Sequence, residues 1–266
     1  MGMRITGVVV TIALFACLAG GQDKGDKRNL RASGGSQATE NAVQGGGNWL
    51  SRQQNADGGW AVGKKSAVAP TGLAVLSFLG AGYTDRGGNN KYAATVGNGI
   101  EYLVRRQGED GRIGTASVRE HAIGALALTE AYWMTRNPRH KQPAQNAIRW
   151  LEAQRKSGEA WGDLRTTTWC VMAWKSAKFG GLAVDAVLSG EVLKWTESGA
   201  AQSSAKDGAM RMLTRIFLGA DPRKDTLVRA AADLCLKNLP EPKAIDRLYW
   251  YFGTLAMFQM GGTHWK

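Results

Sequence analysis

The stretch that decides the fold is Gln-Asn-Ala-Asp-Gly-Gly-Trp at residues 54–60, shortly after Trp49-Leu50. A second copy occupies residues 107–113, and a third occupies residues 154–161 with one extra residue. The copies recur about every 50 residues, and each consists of a Gln, a Gly-containing turn and usually a Trp. Self-similarity at such a period predicts a repeat architecture in which one supersecondary unit is stacked several times.

Each copy stands between two helical segments of different character. The segment before the second copy, Gly99–Gln107, is apolar on one face and carries Glu101 and Arg105 on the other. The segments after the turns are apolar almost all round. Five of these are predicted: Thr71–Leu79, His121–Trp133, Thr167–Ala177, Gly208–Leu218 and Asp246–Met260. Because a helix that is apolar on every face is buried on every face, the pattern predicts amphipathic helices outside and apolar helices inside, and no strands.

The first copy fits Gln-x-x-x-Gly-x-Trp and resembles the repeat motif of squalene and oxidosqualene cyclases. The resemblance covers about residues 48–266 and is greatest to bacterial secreted proteins of the prenyltransferase and squalene oxidase repeat type. It implies an all-α fold, an α/α toroid of about five helix pairs like that of terpenoid cyclases and protein prenyltransferases. It also implies that the motif is structural, with the Gln amide bridging helix ends and the Trp stacking on it. The residues predicted as structural clamps are Gln54, Gly58, Trp60, Gln107, Gly111, Gln154, Gly158 and Trp161.

The resemblance does not extend to the chemistry of these enzymes. Bacterial squalene cyclases protonate their substrate with an Asp-x-Asp-Asp motif at an inner helix, and this sequence contains no such motif. The nearest acid pair, Glu109-Asp110, falls in a turn. Protein prenyltransferases bind zinc through Asp-x-Cys and a distant His, which Asp233, Cys235 and His264 match only superficially, since residues two apart on a helix diverge. We therefore predict neither a metal site nor a cofactor.

Polar residues stand at the starts of the predicted apolar helices, the end that faces the central cavity in the cyclases. The resemblance therefore implies that they rim a cavity. The candidates are Glu120, His121, Asp163, Thr167, Asp207, Asp246, Tyr249 and Trp250. Two interpretations stay open: these residues hold a ligand, or the acids cap their own helices and His121 is a hydrogen-bonded core or rim residue.

The N-terminal residues 1–21 have the pattern of an export signal. Arg4 precedes an apolar stretch, Ile5–Ala16, that is too short to span a bilayer comfortably. Within it, Leu14-Phe15-Ala16-Cys17 resembles a bacterial lipobox and predicts lipidation of Cys17, with simple secretion and an uncleaved anchor as alternatives. The expected location is the cell envelope, as an outer or inner membrane lipoprotein or as a periplasmic or secreted protein.

The rest of the chain divides into two parts. Residues 22–46 are polar and predict a flexible linker, and residues 47–266 form the repeat domain. The formal net charge is +12, but the basic residues are scattered, which argues against a nucleic-acid site. Cys170 and Cys235 lie in apolar segments and are predicted to be buried and unpaired, although a disulfide between them stays open in an oxidising compartment.

Three functions remain for a toroid at the envelope. The first is non-catalytic binding of a hydrophobic small molecule or an envelope protein. The second is an enzyme that acts on an isoprenoid or a polysaccharide, with Asp163, Asp207 and Asp246 as the acids to test. The third is a scaffold with a filled centre. Carboxylates within about 5–10 Å of each other in one pocket favour acid–base chemistry, whereas carboxylates that cap their own helices favour binding.

Overall fold

The computed structural model describes residues 35–61, 67–86, 90–156, 158–198 and 204–265. Within these ranges the protein is all-helical, as predicted, and an isolated bridge between Gln107 and Ile113 is its only extended pairing. The helices are α1 (Gln37–Arg52), α2 (Val68–Gly80), α3 (Ala93–Arg105), α4 (Val118–Thr135), α5 (Pro138–Ala153), α6 (Leu164–Gly180), α7 (Leu188–Trp195), α8 (Ala205–Leu218), α9 (Thr226–Lys237) and α10 (Arg247–Met260), followed by a 3-10 turn, Gly262–His264. The predicted signal and Cys17 lie outside the described residues.

The even-numbered helices are the five apolar segments of the sequence. The first four begin three residues before their predicted starts. In α4, α6 and α8 a polar residue in front of the helix caps the first turn, whereas α2 follows Ala67 and has no side-chain cap. Ser117 caps α4, Asp163 caps α6 and Ser204 caps α8, each accepting a backbone N–H. Every residue of α4 from His121 to Tyr132 is buried, whereas the odd-numbered α5 buries six scattered positions. The predicted burial on nearly all faces is confirmed for α4, α6 and α8, whereas α10 buries only four of its 14 residues.

Packing follows the same alternation. Each even-numbered helix contacts the next one, in the order α2, α4, α6, α8 and α10. The odd-numbered helices lie against this row, with α3 on α2, α5 on α4 and α9 on α8. None of the helices in the described part of the chain combines the length and the apolar character needed to cross a membrane.

The glutamines of the first two motif copies connect neighbouring repeats. The Gln54 amide donates to the carbonyl of Gly58 at 2.8 Å and to that of Thr95, at the start of α3, at 2.9 Å. Gln107 makes the equivalent pair of bonds in the second copy, both at 3.0 Å, and reaches Pro143 of α5. Each amide therefore closes its own turn and ties it to the next odd-numbered helix.

The tryptophans of the motif bind the turn to the helix that precedes it. The indole N–H of Trp60 donates to the carbonyl of Leu50 at 2.9 Å, and that of Trp161 donates to Leu151 at 2.7 Å. Both rings are buried, with 6% of their surface exposed. Ile113 fills the same place in the second copy and is fully buried, so the apolar contact survives there without the hydrogen bond.

The third copy uses a different bridging residue from the one predicted. The Gln154 amide reaches only Trp150 within its own helix, at 3.3 Å. The guanidinium of Arg155 instead donates to the carbonyl of Glu159 and to the carboxylate of Glu191 on α7. The extra residue in this copy shifts the register by one, so Arg155 occupies the place that Gln54 has in the first copy.

Helix α1 begins within the segment that was predicted to be a flexible linker. Ser36 and Thr39 form a capping box, in which each side chain accepts a hydrogen bond from the backbone of the other, and the helix starts at Gln37. The three glycines at residues 45–47 make this helix intrinsically weak. None of its residues is buried, and Trp49 is 58% exposed. Residues 37–46, which were predicted to belong to the flexible linker, are therefore helical.

Candidate functional site

A cavity of about 520 Å³ lies among the even-numbered helices. Each of these five helices contributes to its wall, and α1 covers one side. The contributing side chains include Leu50 of α1, Leu76 of α2, Leu126 of α4, Met172 of α6, Phe217 of α8 and Leu255 of α10. The volume and the apolar lining are those of a site for a small hydrophobic molecule.

One acidic side chain, Glu130 of α4, lines this cavity. It is 8% exposed, and its burial raises the pKa of its carboxyl group to about 7. The Ser176 hydroxyl on α6 lies beside it and partly offsets the shift. The Glu130 carboxyl group is therefore a weaker acid than that of an ordinary glutamate.

Tyr251 of α10 is a second polar group on the cavity wall. Burial and the nearby Glu130 carboxyl raise the pKa of its phenol, so it stays neutral throughout the physiological range. Its ring packs against Trp169 at 5.5 Å and Phe252 at 5.1 Å between centroids, which fixes the direction of the side chain.

The predicted rim residues do not line this cavity. Glu120 and Glu130 lie on the same helix, but ten residues of α-helix separate them by roughly 15 Å along its axis. Most lining residues of α2, α4 and α8 come from the second half of each helix, and the rim candidates come from the first turns. The cavity therefore lies towards the opposite ends of these helices.

The acids of the rim cap helices. Asp163 accepts the amide of Thr166, and Asp246 accepts the amides of Leu248 and Tyr249. Glu120 bonds Ser117 in a capping box, and Asp207 accepts a bond from the Ser204 hydroxyl. Each carboxylate therefore serves the first turn of its own helix.

Two of these acids also link neighbouring helix starts. Asp246 lies 2.9 Å from Lys206 of α8, and the hydrogen bond from Lys206 lowers the pKa of the Asp246 carboxyl. Asp163 lies 4.0 Å from Arg119 of α4. Burial opposes ionisation of the Asp163 carboxyl group, but the hydrogen bonds from Thr166 and the charge of Arg119 outweigh burial and lower its pKa. Because these acids are paired and exposed, they stay ionised and are unsuited to proton donation.

The other four rim candidates are packing and turn residues. The Tyr249 hydroxyl donates to the carbonyl of Asn238 in the loop before α10, and Trp250 is partly buried. Thr167 and His121 are fully buried. Both are the fourth residue of their helix, as Thr71 is in α2.

His121 anchors the second motif copy. Its Nδ1 accepts the backbone N–H of Ile113 at 3.1 Å, and its Nε2 lies 2.9 Å from the carbonyl of Ala147. Thr71 accepts the backbone N–H of Trp60 in the same way. With Nδ1 as acceptor, Nε2 carries the proton, so the ring is neutral. His121 is therefore a hydrogen-bonded core residue.

We expect His121 to make the protein less stable in acid. Burial lowers the pKa of its imidazole to about 4, from 6.5 for an exposed ring. Between these values the unfolded chain binds a proton that the folded chain does not, so stability falls as the pH drops from 6.5 towards 4. The loss attributable to this ring approaches about 3 kcal/mol. His121→Thr keeps an acceptor for Ile113, as Thr71 does for Trp60, and should flatten this part of the profile.

The measurement is urea unfolding of both proteins across this pH range. Burial also lowers the pKa of His140. His140 is present in both proteins, so its contribution cancels in the difference between them. Parallel pH profiles for wild type and variant would show that His121 does not titrate with unfolding.

The residues that superficially matched a prenyltransferase zinc site do not converge. His264 Nε2 lies 3.4 Å from Asp233, but Cys235 is buried on another side, with its thiol near the carbonyl of Ala205. Within the described residues, no group of three His, Cys, Asp or Glu side chains is arranged to hold a metal ion. Cys170 and Cys235 are buried, free thiols, as the sequence predicted.

Sequence reasoning missed Glu130. It is the single charged residue in the apolar run Ala125–Ala131, and an isolated acid there was a usable signal. The resemblance to the cyclases instead placed function at the helix starts. Comparison of the chain with protein-family models and with curated proteins finds no match.

Proposed function

We propose that the protein is a squalene cyclase-like toroid of five helix pairs. Support comes from the ten helices in chain order and from the row in which each even-numbered helix contacts the next. Leu76 of α2 and Leu255 of α10 line the same cavity although they lie at the two ends of this row. That both ends of the row reach one cavity supports a row that curves around it, as in a toroid.

We propose further that it binds a hydrophobic small molecule without transforming it. The observation that carries this function is the apolar cavity of about 520 Å³ walled by all five even-numbered helices. A cavity that is wide enough for a ligand and has few polar groups is costly to fill with water. An exported and lipidated chain would carry this cavity at the cell envelope, where such ligands are abundant.

The enzymatic alternative has less support. Asp163, Asp207 and Asp246 serve their own helix starts, the arrangement that favours binding over acid–base catalysis. Glu130 faces the cavity, but its raised pKa makes it a weaker acid than an ordinary carboxyl group. Protonation of an alkene needs a stronger acid, so incubation with squalene or oxidosqualene should give no cyclised product by gas chromatography.

The test is binding of an apolar dye, Nile red, to the purified full-length chain. Wild type should bind the dye with saturation, and Leu255→Trp should abolish binding because the larger ring fills the cavity. Thr254→Trp is the matched control, since Thr254 is the exposed neighbour on the same helix. Equal binding by all three proteins, or none by wild type, would contradict the proposal. If the proposal holds, mass spectrometry of lipids that copurify from the native envelope would identify the ligand.

A further inference from the structure

Glu130 has no cationic partner among the described residues. Its carboxyl group takes part in none of their ion pairs, and its polar neighbours are Ser176 and Tyr251. The other side chains of α4 on the cavity wall, Leu126 and Met134, are apolar. Burial of a carboxyl group without an ion-pair partner costs stability, so its retention at the cavity is consistent with a role in binding.

The neutral form of Glu130 suits an uncharged ligand. Burial raises the pKa of the carboxyl group to about 7, because these surroundings penalise the charge. A protonated carboxyl group presents one O–H donor and one carbonyl acceptor. Tyr251 adds a neutral phenol, which donates one hydrogen bond and accepts others. The two side chains thus offer donors and acceptors on a mostly apolar wall, which Ser77 and Tyr83 also line.

We propose that the ligand of the cavity is an alcohol, a molecule with an apolar body and one uncharged hydroxyl group that hydrogen-bonds Glu130 and Tyr251. The inference rests on the proposed function, since it names the chemical class that the cavity binds. A hydroxyl group both donates and accepts hydrogen bonds, so it can pair with a donor and with an acceptor of these two side chains at once.

Other head groups complement the site less well. A hydrocarbon displaces water from Glu130 and Tyr251 and leaves them unpaired, which sites built for hydrogen bonding disfavour. A fatty acid brings a second carboxylate next to Glu130, and like charges disfavour each other's ionised form. An alkylammonium ion requires Glu130 to be ionised, and burial opposes that ionisation.

The test is displacement of Nile red by decane, decanol, decylamine and decanoic acid at neutral pH. Glu130→Leu removes the polar group, and Glu130→Gln keeps a donor and an acceptor without charge. Glu120→Gln is the matched control, because it makes the same change on the same helix outside the cavity. The ratio of decanol affinity to decane affinity should be about tenfold higher in wild type than in Glu130→Leu, the value of one hydrogen bond.

Glu130→Gln should retain most of this preference, and Glu120→Gln should retain all of it. An equal ratio in wild type and Glu130→Leu would overturn the alcohol inference. Saturable Nile red binding by wild type would still support the proposed function in that case. Decylamine could instead displace the dye better than decanol does and lose this effect in both Glu130 variants. That result would identify a cationic ligand and would also overturn the alcohol inference. Absence of Nile red binding in wild type would remove the proposed function and the inference together.

Discussion

Replacement of Trp60 by Ala is expected to lower the free energy of unfolding by about 3–5 kcal/mol, the usual cost of deleting a large buried aromatic ring. The ring is 6% exposed and lies against Phe78, with 6.3 Å between centroids. It also packs against the backbone of α3, where the Cβ of any side chain at Gly99 would come within 3.0 Å of it. Loss of the ring removes this contact and leaves the carbonyl of Leu50 without its indole donor.

Trp49→Ala is the matched control, because Trp49 lies on α1 with 58% of its surface exposed. We expect a change within about 0.5 kcal/mol, as for most surface substitutions. Gln54→Ala should cost about 1–3 kcal/mol, because the carbonyls of Gly58 and Thr95 lose their donor. Urea unfolding of the three variants checks these values, and three midpoints equal to that of wild type would reject the clamp interpretation.

Replacement of Gly111 by Ala is expected to be comparably severe. The residue has a φ of +91°, which costs an L side chain about 1–2 kcal/mol. A Cβ there would also lie 2.3 Å from the backbone carbonyl oxygen of Asn146, so α5 would have to move away. Overpacking of this kind adds about 1–3 kcal/mol. The second turn would therefore lose both its conformation and its contact with the next repeat.

Gly158→Ala separates these two causes. Gly158 also has a left-handed conformation, with a φ of +76°, but no atom lies within 4 Å of the place where its Cβ would stand. We expect this variant to pay the conformational cost of about 1–2 kcal/mol alone. The comparison uses thermal or urea unfolding. If Gly111→Ala were as mild as Gly158→Ala, the close approach of Asn146 would have no energetic consequence.

The candidate site shows where sequence reasoning reached its limit. Asp163 and Asp246 were recognisable as acids at helix starts, and their role as caps was one of the two interpretations left open. Glu130 was visible as a lone acid in an apolar run, but the run alone does not tell which neighbours surround it. Its pKa and its access to the cavity depend on α6 and α10, whose residues are far away in the chain.

The sequence by itself determined the helices and their alternation. Hydrophobic periodicity and the recurring turn are local properties, so they predicted five apolar helices to within a few residues. Only the tertiary structure decided that Arg155 replaces Gln154 as the bridge of the third copy, because that role depends on where Glu191 of α7 lies. It also decided that the cavity lies towards the second halves of the helices, since a cavity is the space left by packing and no single segment encodes it.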